Sequence, residues 1–235
     1  MLKHVVVILC GLLLPAAVTA AQPETVRPAA VAGTWYPGDR AQLGAYVDSL
    51  LNGENHAGGG TQGQVRALIT PHAGYRYSGA VAGAAYRLVR GRKFSRVLLL
   101  GPSHHAGFHG LSIAAVTHYE TPLGRIPLDL DAIRQLRASG LVTTDPAAHR
   151  EEHSLEIQLP MLQRALQPGW QLVPVLVGQL LQEDYPAAAA VLRPLLDDKT
   201  LVVVSSDFTH YGPRFGYLPF PDDGDTPARL EALDS

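Results

Sequence analysis

Cysteine is nearly missing from this chain of 235 residues, the single one being Cys10 in an apolar run near the start. That excludes an intrachain disulfide, and it excludes a thiolate metal ligand anywhere beyond that run. Aromatic residues are sparse at 7%, and charged residues reach 17% with no long run of either sign. The 19 Lys+Arg against 21 Asp+Glu give a formal charge of −2. No concentrated basic face is available, which argues against nucleic acid as the main partner. Val5 to Leu14 is the longest apolar stretch, too short to span a bilayer comfortably. What is present is 46% hydrophobic residues, too many for a disordered chain and enough for one large domain or two small ones. A chain of this length buries roughly 70% of its unfolded surface and needs no staple to fold.

The first twenty residues read as a secretory signal. Lys3 and His4 form a short basic start, the apolar run follows, and Pro15-Ala-Ala-Val-Thr-Ala20 offers small residues for cleavage after Ala20 or Ala21. Leu9 before Cys10, and the apolar run continuing past it, argue against a lipid-modified cysteine. Residues 1–20 are thus expected to be a signal peptide, residues 21–235 one α/β domain, and the mature protein exported, in the periplasm, without membrane attachment.

Beyond that point short apolar runs alternate with amphipathic ones. Asp39 reads as an N-cap for a helix carrying Leu43, Tyr46, Val47, Leu50 and Leu51. Asn52 to Gly63 holds five glycines and reads as a flexible connection in which His56 is solvated. Strands are expected at Val65–Thr70, Val97–Leu100, Leu111–Val116, Leu172–Val177 and Leu201–Ser205. Helices are expected at Gly79–Arg90, with Val81, Ala82, Ala85, Leu88 and Val89 inward, and at Asp129–Ser139, Ser154–Leu166 and Asp184–Leu196. Pro160 falls early in the third of these and is expected to bend it. Continuously apolar strands separated by helices imply a mainly parallel sheet covered on both faces.

Three of these strands run straight into a loop bearing histidine. Ile69-Thr70 leads to Pro71-His72, Leu99-Leu100 to Gly101-Pro-Ser-His104-His105, and Val203-Val204 to Ser205-Ser-Asp207-Phe-Thr-His210. The carboxyl ends of parallel strands lie along one edge, where ligands bind. His72, His104 or His105, and Asp207 with His210 are therefore expected to share a pocket. Neutral imidazole is the commonest metal ligand, and two imidazoles with a carboxylate leave open positions on iron. Zinc accepts the same set with activated water. A serine hydrolase is disfavoured, because no Gly-x-Ser-x-Gly elbow occurs. Glu152-His153-Ser154 reads either as a plain capping segment, with Ser154 the cap, or as part of the site. His109 and His118 read as peripheral and His149 as a surface residue. Tyr75 and Tyr77 either line the pocket or pack.

Six ordered segments resemble the Memo family, whose bacterial members are also called AmmeMemoRadiSam system protein B. They are Ala32-Gly-Thr-Trp-Tyr36, Pro71-His-Ala-Gly-Tyr-Arg-Tyr-Ser-Gly79, Gly101-Pro-Ser-His-His105, Glu152-His-Ser-Leu-Glu156, Pro174-Val-Leu-Val-Gly178 and Ser205-Ser-Asp-Phe-Thr-His210. The resemblance runs from about Val26 to the end. It implies a three-layer α/β/α sandwich like that of class III extradiol dioxygenases of the LigB type. It also implies His72 and His104 as metal ligands, Asp207 and His210 in the same pocket, and iron(II) or copper rather than zinc as the metal. Two departures stand out. The third ligand of animal members is a cysteine near the C-terminus, and the dioxygenases use a glutamate there, whereas this sequence stops at Ser235. It is expected to be a fragment truncated at the C-terminus, or else to use Asp207, Glu152 or water. The signal segment is the other departure. The implied activity is ring opening of an aromatic diol with His210 as general base. The alternatives are a metal- or peptide-binding module without catalysis and a metal-dependent hydrolase. A small-molecule or peptide ligand is the expected partner.

Overall fold

The computed structural model describes residues 23–53 and 63–234. The expected signal segment with Cys10, and His56 in the glycine-rich connection, lie outside the described residues. In chain order the strands are β1 (Val26–Arg27), β2 (Ala67–Thr70), β3 (Arg96–Pro102), β4 (Leu111–Ser112), β5 (His118–Thr121), β6 (Gly124–Pro127), β7 (Val142–Thr143), β8 (Gln171–Val177) and β9 (Thr200–Ser205). The helices are α1 (Arg40–Leu51), α2 (Tyr75–Arg87), α3 (Leu130–Ala138), α4 (Pro146–Arg150), α5 (Leu159–Ala165), α6 (Tyr185–Leu192) and α7 (Thr226–Asp234).

The main sheet has six strands in the order β2-β9-β3-β8-β4-β7. β2, β9, β3 and β8 are mutually parallel, and β4 runs antiparallel to β8. Val97, Leu99, Leu172, Val173, Val175, Leu176, Leu201 and Val203 are completely buried. Their continuous apolar character follows from having both sheet faces covered. On one face α1, α2 and α5 pack on one another; on the other, Ala188, Val191 and Leu192 of α6 lean on the core. The result is the three-layer α/β/α architecture. Among the described residues no helix is long and apolar enough to cross a membrane.

The order of the strands positions the chemistry. β9 comes last in the chain yet inserts between β2 and β3. Neighbouring strands are ~4.8 Å apart, so the loops that follow β2, β9 and β3 emerge side by side.

Several local expectations change. α2 starts at Tyr75 and buries Tyr75, Ser78, Gly79, Ala82, Gly83 and Tyr86, while Val81 is 64% exposed. The cause is the contact with α1. A Cβ on Gly83 would lie 2.6 Å from the Leu50 carbonyl oxygen, so the glycine side of α2 must face inward and Val81 is turned out. The expected helix from Ser154 begins instead as a 3-10 turn, Glu156–Gln158, followed by α5. Pro160 sits in the first turn of α5, where no N–H is required, and bends nothing. The Leu111 strand ends at Ser112. A small second sheet, β1-β5-β6, was not foreseen. Its strands carry His118, Glu120 and Arg125, and only alternate residues of β5 are buried.

One buried ion pair joins that small sheet to the rest. The Arg27 guanidinium binds the Glu156 carboxylate and also donates to the backbone carbonyls of His149 and Glu152. Glu156 is fully buried; it accepts from the Tyr36 hydroxyl at 2.6 Å and from the backbone of Ala30 and Val31 at 2.7 and 3.0 Å. Charges taken out of water must be matched in this way. His149, expected at the surface, is 3% exposed beneath Arg27, with Nε2 3.0 Å from the Ser112 hydroxyl and Nδ1 unpartnered. Burial first, then the nearby Arg27 charge, lower its pKa to about 4.

Glu156→Ala strands Arg27 as an uncompensated buried charge and is expected to cost ~3–5 kcal/mol in urea unfolding. Arg134→Ala, which breaks an exposed pair with Asp131, is expected to stay within ~0.5 kcal/mol. Equal small losses would show that the buried pair is no clamp. Because the unfolded His149 binds a proton near pH 6.5 and the folded one only near 4, its stabilising effect is complete above pH 6.5. It is lost as pH falls towards 4. Replacing it by Gln is expected to flatten the acid side of the stability profile by up to ~1.4 kcal/mol per pH unit in that window; an unaltered slope would exclude His149 as the titrating group.

Candidate metal centre

Three histidines from three separate stretches of chain meet at the carboxyl edge of the sheet. His72 follows β2, His104 follows β3, and His153 lies between α4 and the 3-10 turn before α5. One nitrogen from each lies within 4.8 Å of the others. The rings of His104 and His153 stack at 4.4 Å, and His72 meets them edge-on at 5.1 and 5.7 Å. Metal–imidazole bonds are ~2.0–2.1 Å, so movements of about 0.7 Å per nitrogen would close the three on one ion. The donor set therefore fits a divalent transition metal.

Glu152 organises two of the three. It is 2% exposed. Oε2 accepts from the His104 backbone N–H at 2.6 Å, and Oε1 accepts from the backbone N–H groups of His153 and Ser154, both at 2.9 Å. The His104 Nδ1 is also 2.9 Å from Oε1. Burial alone pushes this carboxyl pKa up, but the hydrogen bonds outweigh burial and bring it down to about 2. An ionised oxygen only accepts, so His104 carries its proton on Nδ1 and offers Nε2 to the cluster. Glu152 thus orients imidazoles and does not serve as the third ligand. Ser154 is no helix cap either: its hydroxyl donates to the Pro102 carbonyl at 2.7 Å. A side chain at Gly101 would place its Cβ 2.8 Å from that hydroxyl oxygen, which explains the glycine.

Burial lowers the pKa values of His72 and His153, the latter to about 4. For His72 the opposing influence is Asp207, and for His153 it is Glu152. Both rings are therefore neutral near pH 7 and available as donors. Trp35 closes one side, with its ring 4.2 Å from His153.

Asp207 and His210 stand at the rim. Asp207 Oδ1 accepts from the His72 backbone N–H at 2.7 Å, while Oδ2 lies 3.6 Å from His72 Nε2 and 3.6 Å from His210 Nε2. His210 is half-exposed, and its Nδ1 donates to the Phe208 carbonyl at 3.1 Å. That leaves Nε2 with a lone pair. A cavity of about 480 Å³ opens here, lined by Pro71, Asp207, Phe208, His210, Phe215 and Leu230, among others. A larger one of about 840 Å³, between α1 and β6, contains no residue of the cluster.

Of the residues singled out in the sequence, His72, His104, Asp207 and His210 come together. His105 lies outside the group of three, its ring 6.0 Å from His153. His109 pairs with Asp184, and His118 with Thr117, away from the centre. Tyr75 packs in the core with its hydroxyl on the Ile157 carbonyl, and Tyr77 is 81% exposed. His153 had no assigned ligand role. Its signal was its place beside Glu152, a pattern that a capping segment shares.

Comparison with known proteins adds a family. A family model described as "Memo-like protein" matches residues 27–234. "Protein memo-1 homolog" of Caenorhabditis elegans is 35% identical over 200 residues, covering 84% of this chain and 56% of that protein. "Protein MEMO1" of Xenopus laevis is 35% identical over 218 residues, covering 88% and 71%. A "MEMO1 family protein" of Nitrosopumilus maritimus is 32% identical over 192 residues, covering 79% and 69%. The chain thus spans little more than half of the nematode relative and about 70% of the other two.

Glu152→Gln removes the charge that holds His104 and is expected to weaken zinc binding ~10–100-fold by calorimetric titration. Loss of that acceptor is also expected to destabilise the metal-free protein by ~1–3 kcal/mol. Unchanged affinity would mean that His104 is oriented by another group.

Proposed function

Since the chain belongs to the Memo family and gathers three imidazoles at one sheet edge, we propose that it is an exported protein holding one redox-capable metal ion for oxygenase chemistry. The single observation that carries this is the cluster of His72, His104 and His153, with Asp207 beside it. Neutral nitrogens and a carboxylate at the rim suit iron(II), with copper as the other candidate. Such an ion, when bound, supplies open positions at which an aromatic diol and dioxygen are held together. The protein's own part lies at the rim. His210, whose Nδ1 donates to the Phe208 carbonyl, offers an unprotonated Nε2 that takes the diol's proton. Asp207, with Oδ2 3.6 Å from that nitrogen, stabilises the charged form once the proton has arrived. Phe208 and Phe215 give the ring of the ligand an apolar wall.

A zinc hydrolase is the second reading, favoured by the third nitrogen, because three imidazoles with activated water form a zinc site. A metal- or peptide-binding module without turnover uses the same residues. Export rests on residues 1–20, and cell fractionation, with the processed N-terminus read by mass spectrometry, tests it.

The central test loads the protein anaerobically with iron(II), measures bound metal, and then adds a panel of catechols and air. Ring-opened product is expected, with metal lost in His72→Ala, His104→Ala and His153→Ala. His210→Ala is expected to keep the metal and lose ~10²–10⁴-fold in turnover. No product across the panel would remove the oxygenase reading. Unchanged metal content in the three variants would move the site elsewhere.

A further inference from the structure

Ser205 is a buried hydroxyl at the end of β9, 1% exposed, with no place in the donor set. We propose that it is a positioning residue that fixes the tautomer of His72, so that the lone pair of Nε2 faces the cluster. The inference rests on the metal-site reading above and deepens it.

The donors and acceptors around the hydroxyl can be counted, with the backbone of Ser205 as a second hydrogen-bond partner of the His72 ring. Gln158, 1% exposed, accepts at Oε1 from the Thr70 hydroxyl at 2.8 Å and the Tyr86 hydroxyl at 2.9 Å. Its Nε2 donates to the Pro71 carbonyl at 2.9 Å. A carbonyl only accepts, so the amide has one orientation, and its second N–H donates to Ser205 Oγ at 2.8 Å. Ser205 has one proton to give. The Ser154 carbonyl, 2.6 Å away, accepts it and cannot donate. What remains on Ser205 Oγ is a lone pair, and it faces His72 Nδ1 at 3.3 Å. His72 must therefore present N–H at Nδ1, which leaves Nε2 unprotonated.

The arrangement is needed because of a competitor. Asp207 Oδ2 lies 3.6 Å from His72 Nε2 and draws the proton to that side. Without the hydroxyl only the backbone of Ser205 is left to hold the ring on that side, and the pull of Asp207 moves the proton to Nε2, where it caps the ligand atom. Ser205 and Glu152 thus do the same work for two rings, one through a hydroxyl and the other through a carboxylate.

The tautomer is measured in the metal-free, 15N-labelled full chain at pH 7 from the long-range 1H–15N correlations of the His72 ring. The wild type is expected to show a protonated Nδ1 and an unprotonated Nε2. Ser205→Ala is expected to reverse the pattern and to weaken zinc binding ~10–100-fold, while Ser205→Thr, which keeps the hydroxyl, restores both. A wild-type ring protonated on Nε2 would overturn the proposal without recourse to any variant, and so would a Ser205→Ala ring that keeps the wild-type pattern. Should the expected tautomers be found in a protein with no affinity for zinc, iron or copper, the metal reading fails and the role of Ser205 in setting the ring stands.

Discussion

The centre depends on a carboxylate that never needs to touch a metal. Glu152 is buried, charged and surrounded by N–H donors from two loops. A charge in that position is tolerable only because every direction around it is occupied by a donor. Those donors belong to His104, to His153 and to the backbone that carries them. Satisfying one buried charge therefore brings two imidazoles together at stacking distance. The geometry is set by folding alone.

A second layer of buried polar groups keeps that loop in place. Arg27 and Glu156 tie it to the N-terminal segment, and Gln158 ties it to the ends of β2 and β9. Each of these side chains has its polar atoms matched by partners of opposite kind. In a low-dielectric interior such networks are costly when incomplete and rigid when complete. Rigidity is what a metal centre requires, since a ligand atom misplaced by an ångström is no longer a ligand. Residues 152 to 158 accordingly bury four polar side chains, Glu152, Ser154, Glu156 and Gln158.

Above this frame the site changes character. His104 and His210 are partly open to solvent, and Asp207 lies between the buried cluster and the outer cavity. The depth of the site is polar and preorganised, while its mouth carries exposed phenylalanines.

Much of this could be read from the residues in order. Apolar runs of β3, β8 and β9 announced a buried parallel sheet, Asp39 announced the start of α1, and His72, His104, Asp207 and His210 were marked by their place just after strands. These are local or periodic signals, and a chain carries them whatever its neighbours are. The reading failed where a residue's state depends on something distant. Val81 faces out because a helix approaches on the glycine side, His149 is buried because Arg27 covers it, and the β5–β6 ribbon forms against β1, far away in the chain. The third imidazole is of the same kind. Glu152-His153 looks like a helix start until β9 slides between β2 and β3 and brings their loops against it. Sequence periodicity sets which segments become strands and which residues follow them. Only the order of the strands, a consequence of packing the whole sheet at once, decides which of those residues become neighbours.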